Sequence, residues 1–426
     1  MAVDISKRIY SKESKGKNIV LAGWAEEVKV LGKLAFITLR DQSGKVLLVV
    51  KKDLNNFDKL SSLNRESVIS IKGDVQESKS KKFDKEILVK ELDILAKTEP
   101  LPIEFSDKVQ TNLDKRLDWR FIDLRNEKVN AIFKIQAEIA RSFREFFTKE
   151  GFTEFWPPGI IEAAPEGGAE LFSVDYFEKK AYLAQSPELY KELCTGTNFE
   201  KVFCITPIWR AEKHNTSKHL NESRQMDIEV AFADQKSIMK YLEKSVQYIV
   251  KNVLKNCKEE INLVNPDLKV PKVLNLSYNE IIDSLKKNKF KIEYGEDLSP
   301  DAEKKIAEIS GFDKIIFIHS WPASEKPFYI MSKDEKISEG FDAEYGGLEI
   351  SSGGQRVHDP ELLKKRLKSK GLNPKDFEFF INSLKYGIPP HAGWSIGLER
   401  LTMVICGLNN IREACLFPRD RNRIIP

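Results

Sequence analysis

Arg210 and Glu212 follow directly on an apolar run, FCITPIW (203 to 209), and a second such run ends in DIEVAF (227 to 232). The polar stretch between them holds His214 and His219. Two apolar runs around a charged tip read as an antiparallel hairpin with an arginine and a glutamate at its mouth. Desolvating such groups costs on the order of several kcal/mol unless a partner compensates, so the hairpin reads as a ligand cradle.

A lone R-x-E at a hairpin tip is also what a solvated turn looks like, and two further stretches tip the balance. FDAEYGGLEISSGGQR (341 to 356) carries Asp342 and Glu349 before glycines that lead to Arg356. GWSIGLERL (393 to 401) reads as glycines opening an apolar helix, with Glu399 and Arg400 in its first turns. Together these supply guanidinium groups for phosphates, paired carboxylates for a divalent metal, and glycines that let backbone approach a ligand. That is nucleoside triphosphate chemistry without a P-loop.

The elements that must position these groups are legible around them. From Asn18 to Lys97, five β-branched, partly alternating runs (NIVLAGWAEEV, LAFITLRD, KVLLVVKK, SVISIKGDV, EILVKELDIL) predict a small closed barrel of the oligonucleotide-binding type. Phe36 on the second run reads either as core or as a surface on which a base stacks. Residues 98 to 126, with Pro100 and Pro102 before dense charge, read as a hinge. Ala131 to Lys149 predicts an amphipathic helix with Ile132, Ile135, Ile139, Phe143 and Phe146 on one face. FTEFW then leads as a strand to Pro157 and Pro158; this pair of elements suits core or a dimer seam. Gly167 and Gly168 between Glu166 and Glu170 predict a mobile loop whose acids suit an ammonium group. Further helices are predicted over 236–256, 360–370 and 374–386, while 258–335 reads as an insertion.

With 426 residues the chain exceeds one domain. Lys+Arg 69 against Asp+Glu 65 leaves a net charge of +4, which does not by itself announce a nucleic-acid binder. The five cysteines show no C-x-x-C pairing, which argues for reduced thiols and against a zinc site. No apolar run reaches membrane-spanning length and the start has no signal-peptide core, so a cytoplasmic protein without a membrane contact is expected.

With hairpin, carboxylate stretch and glycine stretch in that order, the chain resembles the class II aminoacyl-tRNA synthetases. Within them it is most similar to the archaeal and eukaryotic type of the aspartyl-tRNA synthetase family. The resemblance runs from about Asn18 to Pro426 through LDKRLDWRFIDLR, PEGGAELF, QSPELYK, RAEKHNTSKHLNE, FDAEY with LEISSGGQR, and LFPRDRNR. It implies an α+β protein: a five-stranded OB-type anticodon-binding barrel over 1–100, a hinge over 101–130, and a class II catalytic domain over 131–426. That domain would be an antiparallel sheet flanked by helices, with the insertion at about 258–335. The helix at 131 to 149 and the strand to Pro158 match the family's first motif, which forms a homodimer interface.

Residue by residue, the resemblance implies that Arg210 holds the α-phosphate of ATP, Glu212 the adenine amino group and Arg400 the γ-phosphate, with His219 and Leu220 in the same ATP site. Asp342, Glu349 and Ser352 would ligate Mg2+. Arg356 and Lys191 would face the side-chain carboxylate of L-aspartate and Glu166 its α-ammonium, with Gln185, Glu188 and Ser352 also in the amino-acid site and Glu170 on the loop that closes over it. Phe36 and Glu86 would meet the tRNA anticodon. The implied activity is ATP-dependent formation of aspartyl-adenylate and transfer to the 3′ end of tRNA(Asp). If tRNA(Asn) is charged as well, a partner amidotransferase is needed. The chain departs from the family pattern at Glu188 (usually Gln), Lys218 (usually Arg), Ser223 (often aromatic), Leu47 (a barrel Gln) and Glu26. Rival readings are an asparaginyl-tRNA synthetase, which shares the ATP residues, and a non-catalytic RNA-binding paralogue.

Overall fold

The computed structural model describes residues 6–105, 111–162, 171–213, 216–334 and 336–426. The chain divides into two units, Met1–Glu104 and Phe105–Pro426. In the first, β1 (Ile19–Leu31), β2 (Leu34–Arg40), β3 (Lys45–Lys51), β4 (Ser67–Glu77) and β5 (Lys85–Ala96) close into a barrel in the order β1-β2-β3-β5-β4. Side chains on a strand alternate between faces, so Ala35, Ile37 and Leu39 of β2, Val46, Leu48 and Val50 of β3, and Ile87 and Val89 of β5 fill the interior. Their neighbours Phe36, Leu47, Val49 and Glu86 fall on the outer face, where Phe36 pairs with Val49 and Leu47 with Glu86. Phe36 is therefore not core: it is half-buried on the barrel's outside.

The second unit begins inside the stretch read as a hinge, with α1 (Leu113–Asp118) and α2 (Arg120–Asp123). These helices are fastened to the chain's end. Arg120 is buried, pairs with Asp123 at 2.6 Å, and donates to the carbonyls of Cys415 and Leu416 at 3.0 Å. Next comes α3 (Glu127–Lys149), whose N-cap Asn126 accepts from the Lys128 and Val129 N–H groups. It buries the apolar face that its periodicity predicts.

In chain order there follow β6 (Thr153–Glu154), β7 (Ile160–Ile161), β8 (Ser173–Tyr176), β9 (Lys179–Leu183), α4 (Glu188–Thr195), β10 (Lys201–Trp209), β11 (Glu222–Ala231), α5 (Gln235–Asn256) and α6 (Lys258–Val264). Then come β12 (Lys272–Ser277), α7 (Tyr278–Lys287), α8 (Pro300–Ser310), β13 (Lys314–His319), β14 (Gly340–Tyr345), β15 (Leu348–Gln355), α9 (Pro360–Ser369), α10 (Glu378–Leu384), β16 (His391–Gly397) and α11 (Leu398–Cys406). Strands β7, β9 and β8 form a small sheet. The main sheet has eight strands in the order β12-β13-β14-β15-β16-β11-β10-β6. Its six central strands are antiparallel, whereas the edge strands β12 and β6 pair parallel to β13 and β10. The sheet is thus mixed rather than wholly antiparallel, and residues 258–335 contribute two of its strands.

One face of this sheet is apolar. Met226, Ile228 and Val230 of β11, Phe341, Ala343 and Tyr345 of β14, and Ala392, Trp394 and Ile396 of β16 pack with the buried faces of α3 and α5. Each large apolar side chain buried in this way contributes about 1.5–3 kcal/mol. The interleaved residues necessarily point the other way: Gln225, Asp227 and Glu229, Asp342 and Glu344, His391, Gly393 and Ser395. The polar face is where the chemistry lies.

The stretch GWSIG is strand, and the helix starts only at Leu398. Gly393 permits a close approach there, since a Cβ would meet Glu229 Oε2 at 2.0 Å and the Ile228 carbonyl oxygen at 2.3 Å. The turn between β14 and β15 falls at Gly346 and Gly347, with φ of +66° and +77°, values that favour glycine.

Candidate active site

The hairpin of β10 and β11 pairs from Lys201↔Val230 to Trp209↔Glu222. Past its last pair, Asn221 holds the mouth together. The Arg210 N–H donates to the Asn221 carbonyl at 3.0 Å, and Asn221 Nδ2 donates to the carbonyls of Arg210 at 2.8 Å and Glu212 at 3.2 Å. The Asn221 N–H donates in turn to the Arg419 carbonyl at 2.8 Å, so the LFPRDRNR stretch buttresses the hairpin from behind.

The side chains of Arg210 and Glu212 line a cavity of about 370 Å³, together with Glu188, Lys218, His219, Leu220, Ser223, Glu349, Ser352, Arg356 and Arg400. The three distant stretches singled out in the sequence therefore converge. Within the cavity wall, Arg210 Nε, Gln225 Oε1 and Ser351 Oγ are buried without a hydrogen-bond partner. An orphaned donor costs about 1–3 kcal/mol, more for a charged group, and an anionic ligand would recover it. Arg400 donates through Nη1 to the Glu349 carbonyl at 2.9 Å and has Nη2 3.5 Å from His219 Nε2, which ties β15 to the hairpin loop. Its neighbour Glu399 serves the scaffold, accepting from the Arg224 N–H at 3.0 Å. Lys218 reaches across to Glu303 of α8 at 2.7 Å.

Next to the Arg400 end, Asp342, Glu344, Glu349 and Glu303 line one recess. Asp342 faces Ser352 across the β14–β15 ladder and Glu344 faces Glu349. Glu344 Oε2 is buried without a hydrogen-bond partner, and burial, then Glu303, Glu349 and Asp342, push its carboxyl well above the usual range. Burial also raises Glu349, against the pull of Arg400. Crowded hard oxygens with an orphaned acceptor suit a divalent cation. Among the described residues no three acids, histidines or cysteines already converge into a cation cage. Lys326 instead forms a short ion pair with Asp342 and partly neutralises the group.

At the other end, Lys191 on α4 is wholly enclosed. Its Nζ lies 2.8 Å from Asp227 Oδ1, 2.9 Å from Glu188 Oε2 and 3.6 Å from Glu229 Oε2. Burial would depress this ammonium, but Asp227, Glu188 and Glu229 outweigh it and raise the pKa. Arg356, also buried, donates through Nε to Glu229 Oε1 at 3.0 Å and through Nη2 to Glu229 Oε2 at 3.1 Å, and its Nη2 lies 2.6 Å from Glu188 Oε1. Burial works to raise Glu188, yet Arg356 and Lys191 hold it below the usual carboxylate range. Burial raises Asp227 despite Lys191. Arg356 and Glu188 line the cavity; Lys191, Asp227 and Glu229 do not.

Beside Arg356 sits a second buried pair, His391 Nε2 and Glu192 Oε2, 3.1 Å apart. Burial lifts Glu192 to about 7 in spite of His391, and the hydrogen bond to Glu192 raises His391 against its own burial.

Of the other residues singled out, Gln185 is buried, and Glu166 and Glu170, like His214, lie outside the described residues. On the barrel, Glu86 is 4 % exposed and accepts from Gln76 Nε2 at 2.8 Å and Ser78 Oγ at 3.2 Å, while Glu26 pairs with Lys45 at 2.8 Å. Asp227, Glu229 and Glu344 join the site only in the folded chain. The signal for them was available: acids two apart in an apolar strand, as in MDIEVA and FDAEY, share one face and need partners there. Glu192 and His391, 199 residues apart, left no local signal.

A sequence model for the tRNA synthetases class II (D, K and N) matches residues 112–421, and one for the OB-fold nucleic acid binding domain matches residues 19–95. The chain is 43% identical over 412 residues to the aspartate–tRNA(Asp) ligase of Picrophilus torridus, covering 96% of this chain and 97% of that protein. It is 42% identical over 422 residues to the aspartate–tRNA(Asp/Asn) ligase of Methanopyrus kandleri, covering 97% of each. Among solved structures, asparaginyl-tRNA synthetase from Pyrococcus horikoshii complexed with asparaginyl-adenylate superposes with a TM-score of 0.94 at 34% identity, over 98% of this chain and 99% of that one.

Proposed function

We propose that this chain, which belongs to the class II tRNA synthetases of the D, K and N group, is an aspartate–tRNA ligase, which activates L-aspartate with ATP and transfers it to tRNA. The observation that carries the reading is the single cavity with Arg210, its Nε unpartnered, and Arg400 on its ATP side and Arg356 on its amino-acid side.

In this reading Arg210 binds the α-phosphate and Arg400 the γ-phosphate, with Glu212, His219 and Leu220 around the nucleotide. An oxygen of the substrate α-carboxylate attacks the α-phosphorus, the bond to the bridging oxygen breaks, and pyrophosphate leaves. Arg210 stabilises the charge that develops, and the walls hold both substrates in line, so positioning and electrostatics supply the catalysis. A tRNA 3′-terminal hydroxyl then attacks the acyl carbon and releases AMP. Asp342, Glu349 and Ser352 would hold Mg2+, which when bound supplies positive charge to the phosphates. Glu166 and Glu170 are assigned to the α-ammonium and to loop closure. Gln185 and Glu188 belong to the amino-acid end.

The aspartate choice rests on Arg356, whose guanidinium lines the cavity while Glu229 takes its Nε and Nη2 from behind. The asparaginyl reading has one observation in its favour, Glu188, which already offsets part of that charge. On the barrel, Phe36 is assigned to base stacking and Glu86 to the anticodon, with phosphate contacts making tRNA binding salt-dependent. The homodimer is assigned to α3 and edge strand β6, the elements that match the family's first motif, with Trp156 81% exposed just beyond that strand. Charging of tRNA(Asn) as well, and with it a partner amidotransferase, follows only if the barrel accepts both tRNAs. Cytoplasmic placement accords with the five free cysteines.

ATP–pyrophosphate exchange with aspartate, asparagine or no amino acid tests the proposal. Exchange with aspartate alone is expected. Exchange driven by asparagine would transfer the assignment to the sister enzyme, and none with either would leave an RNA-binding paralogue.

A further inference from the structure

Three carboxylates surround the two buried cations at the amino-acid end, but they are not equivalent. Asp227 and Glu229 lie behind the cavity wall, and between them they keep both cations engaged: Lys191 at 2.8 Å and 3.6 Å, Arg356 through the two bonds to Glu229. Glu188 alone of the three lines the cavity. One of its oxygens lies 2.6 Å from Arg356 Nη2 and the other 2.9 Å from Lys191 Nζ. Its contact with Arg356 is close in distance yet lacks hydrogen-bond alignment, for Oε1 has no hydrogen-bond partner. Glu188 is also the first residue of α4, following Pro187, and its own N–H donates to Ser186 Oγ. The side chain can therefore leave while the backbone and both cations stay in place.

We infer that Glu188 is a built-in competitor for the substrate: its carboxylate fills, across Arg356 and Lys191, the place of an acidic side chain, and aspartate binds by displacing it. This rests on the reading that the substrate's side-chain carboxylate is received at Arg356. Glu188 so becomes an affinity-setting residue that weakens aspartate binding and narrows the margin over asparagine, because a neutral amide need not evict a charge. Two carboxylates on one arginine at close range repel, and the one with fewer other ties moves.

The test is Glu188→Gln, nearly the same shape without the charge, in ATP–pyrophosphate exchange on the full chain. The variant is expected to lower the KM for aspartate at least tenfold, to leave the KM for ATP unchanged, and to raise the ratio of aspartate to asparagine use. Aspartate alone should also raise the melting temperature of the variant more than that of the parent, which reads binding without turnover. A KM for aspartate that stays the same or rises, with ATP binding intact, overturns the inference and makes Glu188 a fixed support for Arg356. If Glu188→Gln does not fold, Glu188→Asp decides: one methylene shorter, it cannot span both cations, so the KM for aspartate should again fall, and an unchanged value refutes displacement. If the parent chain shows no exchange with aspartate at all, the receiving role of Arg356 fails first, and the inference falls with it.

Discussion

Lys191→Met puts the electrostatics of the amino-acid end to its severest test. In the native site two cations, Lys191 and Arg356, stand against three carboxylates, Glu188, Asp227 and Glu229, a balance of 2 − 3 = −1. The variant leaves 1 − 3 = −2, with every member buried. Removing one partner of a buried ion pair costs about 3–5 kcal/mol, because the remaining charge stays desolvated. One unit charge at about 4 Å in an effective dielectric near 20 amounts to roughly 4 kcal/mol, so binding an additional carboxylate should weaken by up to about three orders of magnitude. Urea unfolding reads the first figure and the aspartate KM in pyrophosphate exchange reads the second. Relief is available through protonation of Asp227, whose carboxyl burial already raises, so the defect should be worst at high pH and ease as pH falls. The double variant Lys191→Met/Asp227→Asn restores the balance to 1 − 2 = −1 and should recover much of the stability. A single variant within about 1 kcal/mol of the parent, with an unaltered aspartate KM, would refute the coupling of these five groups.

Arg210→Ala should lower adenylate formation by about 10²–10³ in kcat, the scale of a single transition-state donor, and leave urea unfolding nearly unchanged, since Arg210 Nε has no partner to lose; an undiminished exchange rate would remove Arg210 from the chemistry. The Glu192–His391 pair makes stability fall with rising pH. Glu192 keeps its proton in the folded chain from its ordinary 4.5 up to about 7, where the unfolded chain has lost it, a span worth about 3 kcal/mol. Denaturation midpoints at pH 5 and pH 7.5 should accordingly lie closer together in Glu192→Gln than in the parent. Gly393→Ala drives a Cβ against Glu229 Oε2, so it should cost about 3 kcal/mol, the upper end for overpacking, and impair aspartate use through the displaced Glu229–Arg356 bonds; a wild-type melting curve would contradict it. Phe36→Ala should weaken tRNA binding by a stacking contribution of about 1–3 kcal/mol without altering pyrophosphate exchange, and equal affinities in a filter-binding titration would return Phe36 to a structural role.

The sequence by itself determined the elements and the chemical inventory. Alternation in runs such as LAFITLR is a local property of the strand, so the barrel and the outward Phe36 position were already encoded, although only the closed barrel showed that Phe36 lies outside the core. The hairpin-mouth residues that line the cavity were legible for a similar reason: Arg210 and Glu212 break an apolar run, and a charge in such a place signals a ligand or a partner within a few residues. The same local signals misjudged GWSIG, where glycines that suggested a helix start serve instead to let β16 pass Glu229. What only the tertiary structure decided is who pairs with whom. Lys191, Asp227, Glu229 and Arg356 come from α4, β11 and the end of β15, and their mutual distances depend on strand order in the sheet, which no residue spacing records. So an arginine and a lysine that looked free to receive an acid prove to be held by acids of the chain itself. The reason is physical: a buried charge must be compensated wherever the fold puts it, and the compensating groups are chosen by three-dimensional proximity, not by distance along the chain.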